Sequence, residues 1–92
     1  MDRVTLVISG YVQGVGFRWY VQQAATTLRL AGDVRNRRDG AVVVQAEGPR
    51  EALERLVELS RQGPAAAAEV AVDARWSEGP ARFAGFHIGR SS

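Results

Sequence analysis

The chain has 92 residues, a length that allows one small domain with a single two-layer core and leaves no room for a second domain or a lid. It contains no cysteine and one histidine, His87, so disulfides, thiolate nucleophiles and zinc-finger or His-rich metal sites are excluded. All 12 basic residues are arginine against 10 acidic ones, a formal charge of +2 that favours a small anion over nucleic acid as the ligand; with no signal peptide and no run of 18 apolar residues, a cytoplasmic protein is expected.

Val4 to Val12 sets Val4, Leu6 and Ile8 against Thr5, Val7, Ser9 and Tyr11, and its β-branched content predicts a strand covered on both faces and central in its sheet. The strand runs into Gly10-Tyr11-Val12-Gln13-Gly14-Val15-Gly16-Phe17-Arg18, where three glycines and an arginine precede an amphipathic stretch. Glycines let the backbone turn tightly and expose consecutive N–H groups, a helix start adds partial positive charge, and a guanidinium adds a charged fork. Arg18 in the first helical turn faces the positive end of the helix dipole, at a cost of roughly 0.3–1 kcal/mol that a bound anion reverses. Taken alone, the glycines fit a plain strand-to-helix turn with Arg18 in solvent equally well. No Gly-Lys-Ser/Thr ending follows and the G-x-G-x-x-G spacing is missing, so nucleotide binding is not indicated.

Phe17, Val21, Ala24 and Leu28 recur at helical spacing and predict a helix lying on the sheet, with Trp19 and Tyr20 at the edge of the core. Gly32 to Arg38 and Ala41 to Glu47 flank Asp39-Gly40, a pair favoured by a two-residue type I′ turn, and predict an antiparallel hairpin with Asn36 near the middle of its first strand. Gly48-Pro49 opens a second helix with Leu53, Leu56 and Val57 on its apolar face, and Gly63-Pro64 ends it. Ala65 to Ala68 reads as a connector. Val70, Val72, Ala74 and Trp76 then alternate with Glu69, Ala71, Asp73 and Arg75 in a half-exposed strand, and Phe83 to Ile88 adds a short last one. The order β-α-β-β-α-β, with that fifth strand, is the ferredoxin-like split βαβ sandwich of the α+β class, an antiparallel sheet with two helices on one face and one domain over residues 1–92. The architecture implies no activity by itself. RNA-recognition domains share the strand order, but their middle strand carries exposed aromatics for base stacking, and Ala41 to Glu47 has none.

Taken together, Val12-Gln13-Gly14-Val15-Gly16-Phe17-Arg18, Val34-Arg35-Asn36 with Asp39-Gly40, Glu47-Gly48 and Gly63-Pro64 resemble the acylphosphatase family, in order and at its spacing, over nearly the whole chain. The resemblance implies hydrolysis of a carboxylic–phosphoric mixed anhydride. Its substrate would be a small-molecule acyl phosphate and inorganic phosphate its product and inhibitor, with no metal or other cofactor, no nucleic-acid or membrane partner, and a monomeric state. It also implies that Arg18 binds the phosphate and that Asn36 positions the attacking water. The backbone N–H groups of Gln13, Gly14, Val15, Gly16, Phe17 and Arg18 are then matched to the phosphoryl oxygens.

Such chemistry asks little of titratable groups. An acyl phosphate expels a carboxylate whose conjugate acid has a pKa of about 4, so no general acid is required. What remains is to hold the phosphoryl group and align one water. The Asn36 amide offers a carbonyl to accept from water and an NH₂ to donate to a phosphoryl oxygen. Arg35, Arg37 and Arg38 fit either anion steering or a solvated hairpin face, and His87 is expected to be structural or exposed. Three departures from the family pattern stand out. Leu28-Arg29-Leu30 lacks the usual glycine, so that a positive φ at Arg29 costs roughly 1 kcal/mol; Asp33 replaces a residue more often aromatic; and the chain ends Ile88-Gly89-Arg90 in place of Ile-Arg. The alternative reading is a non-catalytic anion-binding or regulatory domain of the same fold, such as the acylphosphatase-like modules inside carbamoyl-transfer maturation proteins; a chain that starts at Met1 and spans one domain favours the freestanding enzyme.

Overall fold

The computed structural model describes residues 1–91 and holds, in chain order, β1 (Asp2–Tyr11), α1 (Phe17–Thr27), β2 (Ala31–Asn36), β3 (Val42–Gly48), α2 (Arg50–Gln62), β4 (Ala68–Glu78) and β5 (Phe86–Ile88). The five strands form one sheet in the order β4-β1-β3-β2-β5. β1 pairs antiparallel with β3 and β4, and β2 with β3, whereas β5 lies parallel to β2. The sheet is therefore mixed, where the strand pattern predicts an antiparallel one. After β4 the chain crosses to the opposite edge and enters beside β2 running the same way. The ferredoxin-like α+β arrangement otherwise holds, with β1 flanked on both sides and β3 at the centre.

Register explains the core. Val4 faces Ala46, Leu6 faces Val44 and Ile8 faces Val42 across β1 and β3, and Val34 of β2 faces Val44, so alternate residues of three strands meet on one face. All are fully buried against Phe17, Val21 and Ala25 of α1 and Leu53 and Leu56 of α2. The stripe of α1 thus follows i, i+4, i+8, while Ala24 and Leu28 are only half-buried. On the other face Thr5 and Val7 are half-buried, so β1 is not covered on both sides to the extent its composition predicts.

That second face is closed at one end by the crossing segment between β4 and β5. Glu47, 2% exposed, accepts the Arg82 and Phe83 N–H groups on Oε1, both at 2.8 Å, and lies 3.6 Å from the Arg3 guanidinium, which donates to the Pro80 carbonyl at 2.8 Å. Burial opposes ionisation of Glu47, but the two backbone donors and Arg3 outweigh it and hold its carboxyl below the usual range.

Two local geometries bear on the site. At the β1–β4 irregularity between Ser9 and Tyr11, Gly10 has φ +115 and a Cβ there would run into the Glu69 carbonyl, so only glycine lets the strand bend toward the loop that follows. The β2–β3 connection is not the predicted type I′ turn, because Asp39 does not have the positive φ which that turn requires. Instead the Gly40 N–H reaches the Arg37 carbonyl at 3.1 Å and Gly40 alone takes φ +100, giving a three-residue loop.

Candidate active site

After β1, Val12 tucks into the core at 1% exposure, and the chain turns through Gly14 and Gly16, with φ +75 and +82. Open space surrounds the position of a Cβ at either one, so they serve the backbone conformation and not a tight fit. Gly16 is the N-cap of α1. It has no side chain to cap with, and the first turn carries no acidic residue, so the leading N–H groups of the helix stay available to a ligand. The only charged side chain in that turn is Arg18, the arrangement that an anion stabilises.

The loop is tied down from across the sheet. The Gln13 amide donates from Nε2 to the carbonyls of Arg37 at 2.7 Å and Ala41 at 2.9 Å, bridging the glycine turn to the β2–β3 connection. That connection is itself braced, since Arg37 holds Asp39 through Nε at 3.0 Å and Nη2 at 2.8 Å, and Asp39 also accepts the Ala41 N–H at 3.2 Å. The Arg37 guanidinium and the Ala41 N–H draw the Asp39 carboxyl down to about 2, and Asp39 in turn raises Arg37.

Asn36 is the last residue of β2 and alternates with Arg35, so it falls on the helix-covered face with Val34. There it meets the loop. A cavity of about 210 Å³ is lined by Val12, Gly14, Gly16, Phe17, Arg18, Trp19, Asn36 and Ile88. This is several times the ~30 Å³ share of a liquid water, room for a small anion of phosphate size. Arg18 and Asn36, remote in sequence, thus face one space.

Other sequence candidates fall elsewhere. Gln13 and Val15 do not line the cavity, because the Gln13 side chain is turned to the hairpin and Val15 packs partly buried against the core. Arg35 alternates to the opposite face of the sheet, Arg37 is engaged by Asp39, and Arg38 is exposed. His87 is also exposed, with Nε2 2.6 Å from the Ala84 carbonyl oxygen. Trp19 is not at the edge of the core as its helical position predicts but 63% exposed on the cavity wall, and Ile88, the other wall, is 41% exposed. Neither the walls nor the Gln13 tether follows from sequence spacing; the one available signal was an exposed-side aromatic directly after Arg18.

A guanidinium and a carboxamide converging on an uncapped helix start, on a ferredoxin-like sandwich, define a class of small phosphoryl-handling proteins. The comparisons narrow it. The family model described as Acylphosphatase matches residues 4–88. The chain is 46% identical to an acylphosphatase of Salinibacter ruber, over 96% of this chain and 93% of that protein, and 44% identical to one of Thermus thermophilus, over 96% and 99%. Its fold is similar to the crystal structure of acylphosphatase from Bacillus subtilis, with TM-score 0.92, 38% identity and coverage of 97% of this chain and 99% of that one. It is also similar to part of full-length HypF, with TM-score 0.85 and 26% identity, across 99% of this chain but 12% of that protein. The chain belongs to the acylphosphatase family. It is a hydrolase acting on acid anhydrides, cleaving acyl phosphates to carboxylate and phosphate.

Proposed function

We propose that the cavity shared by Arg18 and Asn36 is where this hydrolysis takes place. The phosphoryl group sits on the turn at Gly14 and Gly16 and the first N–H groups of α1, with the Arg18 fork on its oxygens. Asn36 accepts a hydrogen bond from the attacking water. The water oxygen bonds to phosphorus as the bond from phosphorus to the bridging oxygen breaks, and the electron pair leaves on the carboxylate. The proton lost by the water passes to the phosphate or to solvent. Because the leaving carboxylate needs no proton, the lack of an acid–base pair on the cavity wall is consistent with the chemistry. Catalysis rests on alignment and on charge stabilisation, where each well-aimed donor supplies roughly 3–4 kcal/mol in comparable oxyanion sites.

The observation that carries this reading is the single cavity joining Arg18, Asn36 and the two positive-φ glycines. On this reading, inorganic phosphate, the product, occupies the same seat and inhibits, and one domain suffices as a monomer. The test is hydrolysis of benzoyl phosphate in the presence of chelator by the wild type and Arg18→Ala prepared in parallel. Activity in the wild type, lost in the variant together with inhibition by phosphate, supports the assignment. Retention of both in the variant removes Arg18 from the site. A folded wild type that binds phosphate and hydrolyses nothing would favour an anion-binding module instead.

A further inference from the structure

Trp19 and Ile88 are left 63% and 41% exposed, and both border the cavity of Arg18 and Asn36. We propose that they form a subsite for the acyl arm of the substrate, one that selects apolar and above all flat aromatic acyl groups. The inference rests on the functional reading above.

The polar groups of the cavity are committed on that reading, Arg18 and the loop N–H groups to the phosphoryl oxygens and Asn36 to water. The acyl arm then meets only carbon. Val12 and Phe17 form the floor and are already covered, each 1% exposed, so they gain nothing from a ligand. Surface still open to burial belongs to the two walls. Their placement follows from the fold. Trp19 comes directly after Arg18 in the first turn of α1, and Ile88 ends β5 in parallel register beside Val34, two residues before Asn36 on the same strand face. The indole also borders a separate hollow of about 370 Å³ between the helices, which Gln23, Thr27 and Arg55 line together with Ala24, Leu28 and Leu59, so the apolar walls of the subsite are Trp19 and Ile88 alone. An acyl arm carrying a second anion finds no second cation on the cavity wall, since Arg18 is the only charged residue lining it. The subsite therefore discriminates by apolar area, with charge on the arm counting against binding.

The test measures KM and kcat for acetyl phosphate and benzoyl phosphate with the wild type, Trp19→Ala and Trp19→Phe, alongside the inhibition constant of inorganic phosphate. The wild type should show a KM for benzoyl phosphate about fivefold below that for acetyl phosphate, the ratio expected when ~40 Å² more apolar surface is covered. Trp19→Ala should collapse that ratio with phosphate inhibition retained, and Trp19→Phe should restore most of it. The effect should lie in KM and not in kcat, because the arm is bound equally in ground and transition states. Equal KM values in the wild type, or a Trp19→Ala variant that shifts both substrates by one factor, would overturn the subsite. So would weakened phosphate inhibition in that variant, which would put Trp19 in the phosphate seat. If the wild type hydrolyses neither substrate, the functional reading falls and the subsite with it.

Discussion

Replacing Arg29 with glycine isolates the cost of one backbone conformation. α1 ends with Leu28 as C-cap, after which Arg29 takes φ +59. The Leu30 N–H reaches the Ala25 carbonyl at 2.9 Å and the Arg29 N–H reaches Thr26 at 3.0 Å, the two bonds of a Schellman ending whose left-handed position normally holds glycine. An L-residue there costs about 1–2 kcal/mol. Glycine removes that strain but frees the unfolded chain by about 0.4–1 kcal/mol, leaving a net gain near 0.5–1 kcal/mol. Arg29 is exposed and forms no salt bridge among the described residues, so the truncation sacrifices no ion pair. For a domain of this size the gain corresponds to a rise of about 2–8 °C in Tm. The assay is thermal unfolding followed by circular dichroism, with Arg29→Ala as control, since alanine keeps the same strain and should stay within about 0.5 kcal/mol of the wild type. Benzoyl phosphate turnover should be unaffected, because the substitution lies at the far end of α1 from Gly16. A glycine variant that melts lower than the wild type, or an alanine variant that gains as much, would refute the strain argument.

Asn36→Ala should lower kcat by about 10²-fold, the scale of a misaligned nucleophile, with the fold and phosphate inhibition preserved; an unchanged kcat would remove Asn36 from the reaction. Gln13→Ala breaks both bonds that hold the loop to the hairpin, each worth about 0.5–1.5 kcal/mol net, and should raise the phosphate inhibition constant and speed amide exchange in the glycine turn; neither changing would show that the loop holds its own shape. Glu47 is held below its ordinary pKa, so the stability it contributes is present above the unfolded-state value near pH 4 and is lost as pH falls through the lowered folded-state value. Glu47→Gln should therefore lower stability in denaturant unfolding at pH 7, by a margin that narrows below pH 4, and a margin independent of pH would refute ionisation as its source.

Much of this fold is legible from local signals. Gly63 after α2, the alternation from Val70 to Trp76 and the left-handed Arg29 all sit where propensity and cap chemistry put them. The misreadings share a cause, because each depends on a partner distant in sequence or on a competing local bond. The direction of β5 is decided by which sheet edge is open and by the crossing segment anchored on Glu47, neither of which is written in Phe86-His87-Ile88. The turn at Asp39-Gly40 departs from type I′ where the Asp39 carboxylate binds the Ala41 N–H and the Arg37 fork. For the candidate site, the glycines, Arg18 and Asn36 were readable as a motif. The cavity walls were not, because helical periodicity places Trp19 on a face of α1 without saying that Ile88 of a parallel edge strand will stand near it.

The tether at Gln13 links this geometry to the proposed chemistry. A reaction that needs no proton from the protein draws its rate from the fixed relation between phosphate seat and water. On the proposed assignment the two lie on different elements, the glycine turn after β1 and the end of β2. These elements are not neighbours in the sheet, since β3 runs between them. Two things hold them in register: the β1–β3–β2 ladder, in which Ile8 and Asn36 both pair with Val42, and the Gln13 amide, which bonds to carbonyls on both sides of the hairpin turn. Hairpin and loop are thereby fastened at the end of the sheet where the cavity opens. If alignment is the source of the rate, loosening Gln13 should reduce the effect that Asn36 has. Asn36→Ala should then cost less in a Gln13→Ala background than in the wild type, and strictly additive losses would show that the two residues act independently.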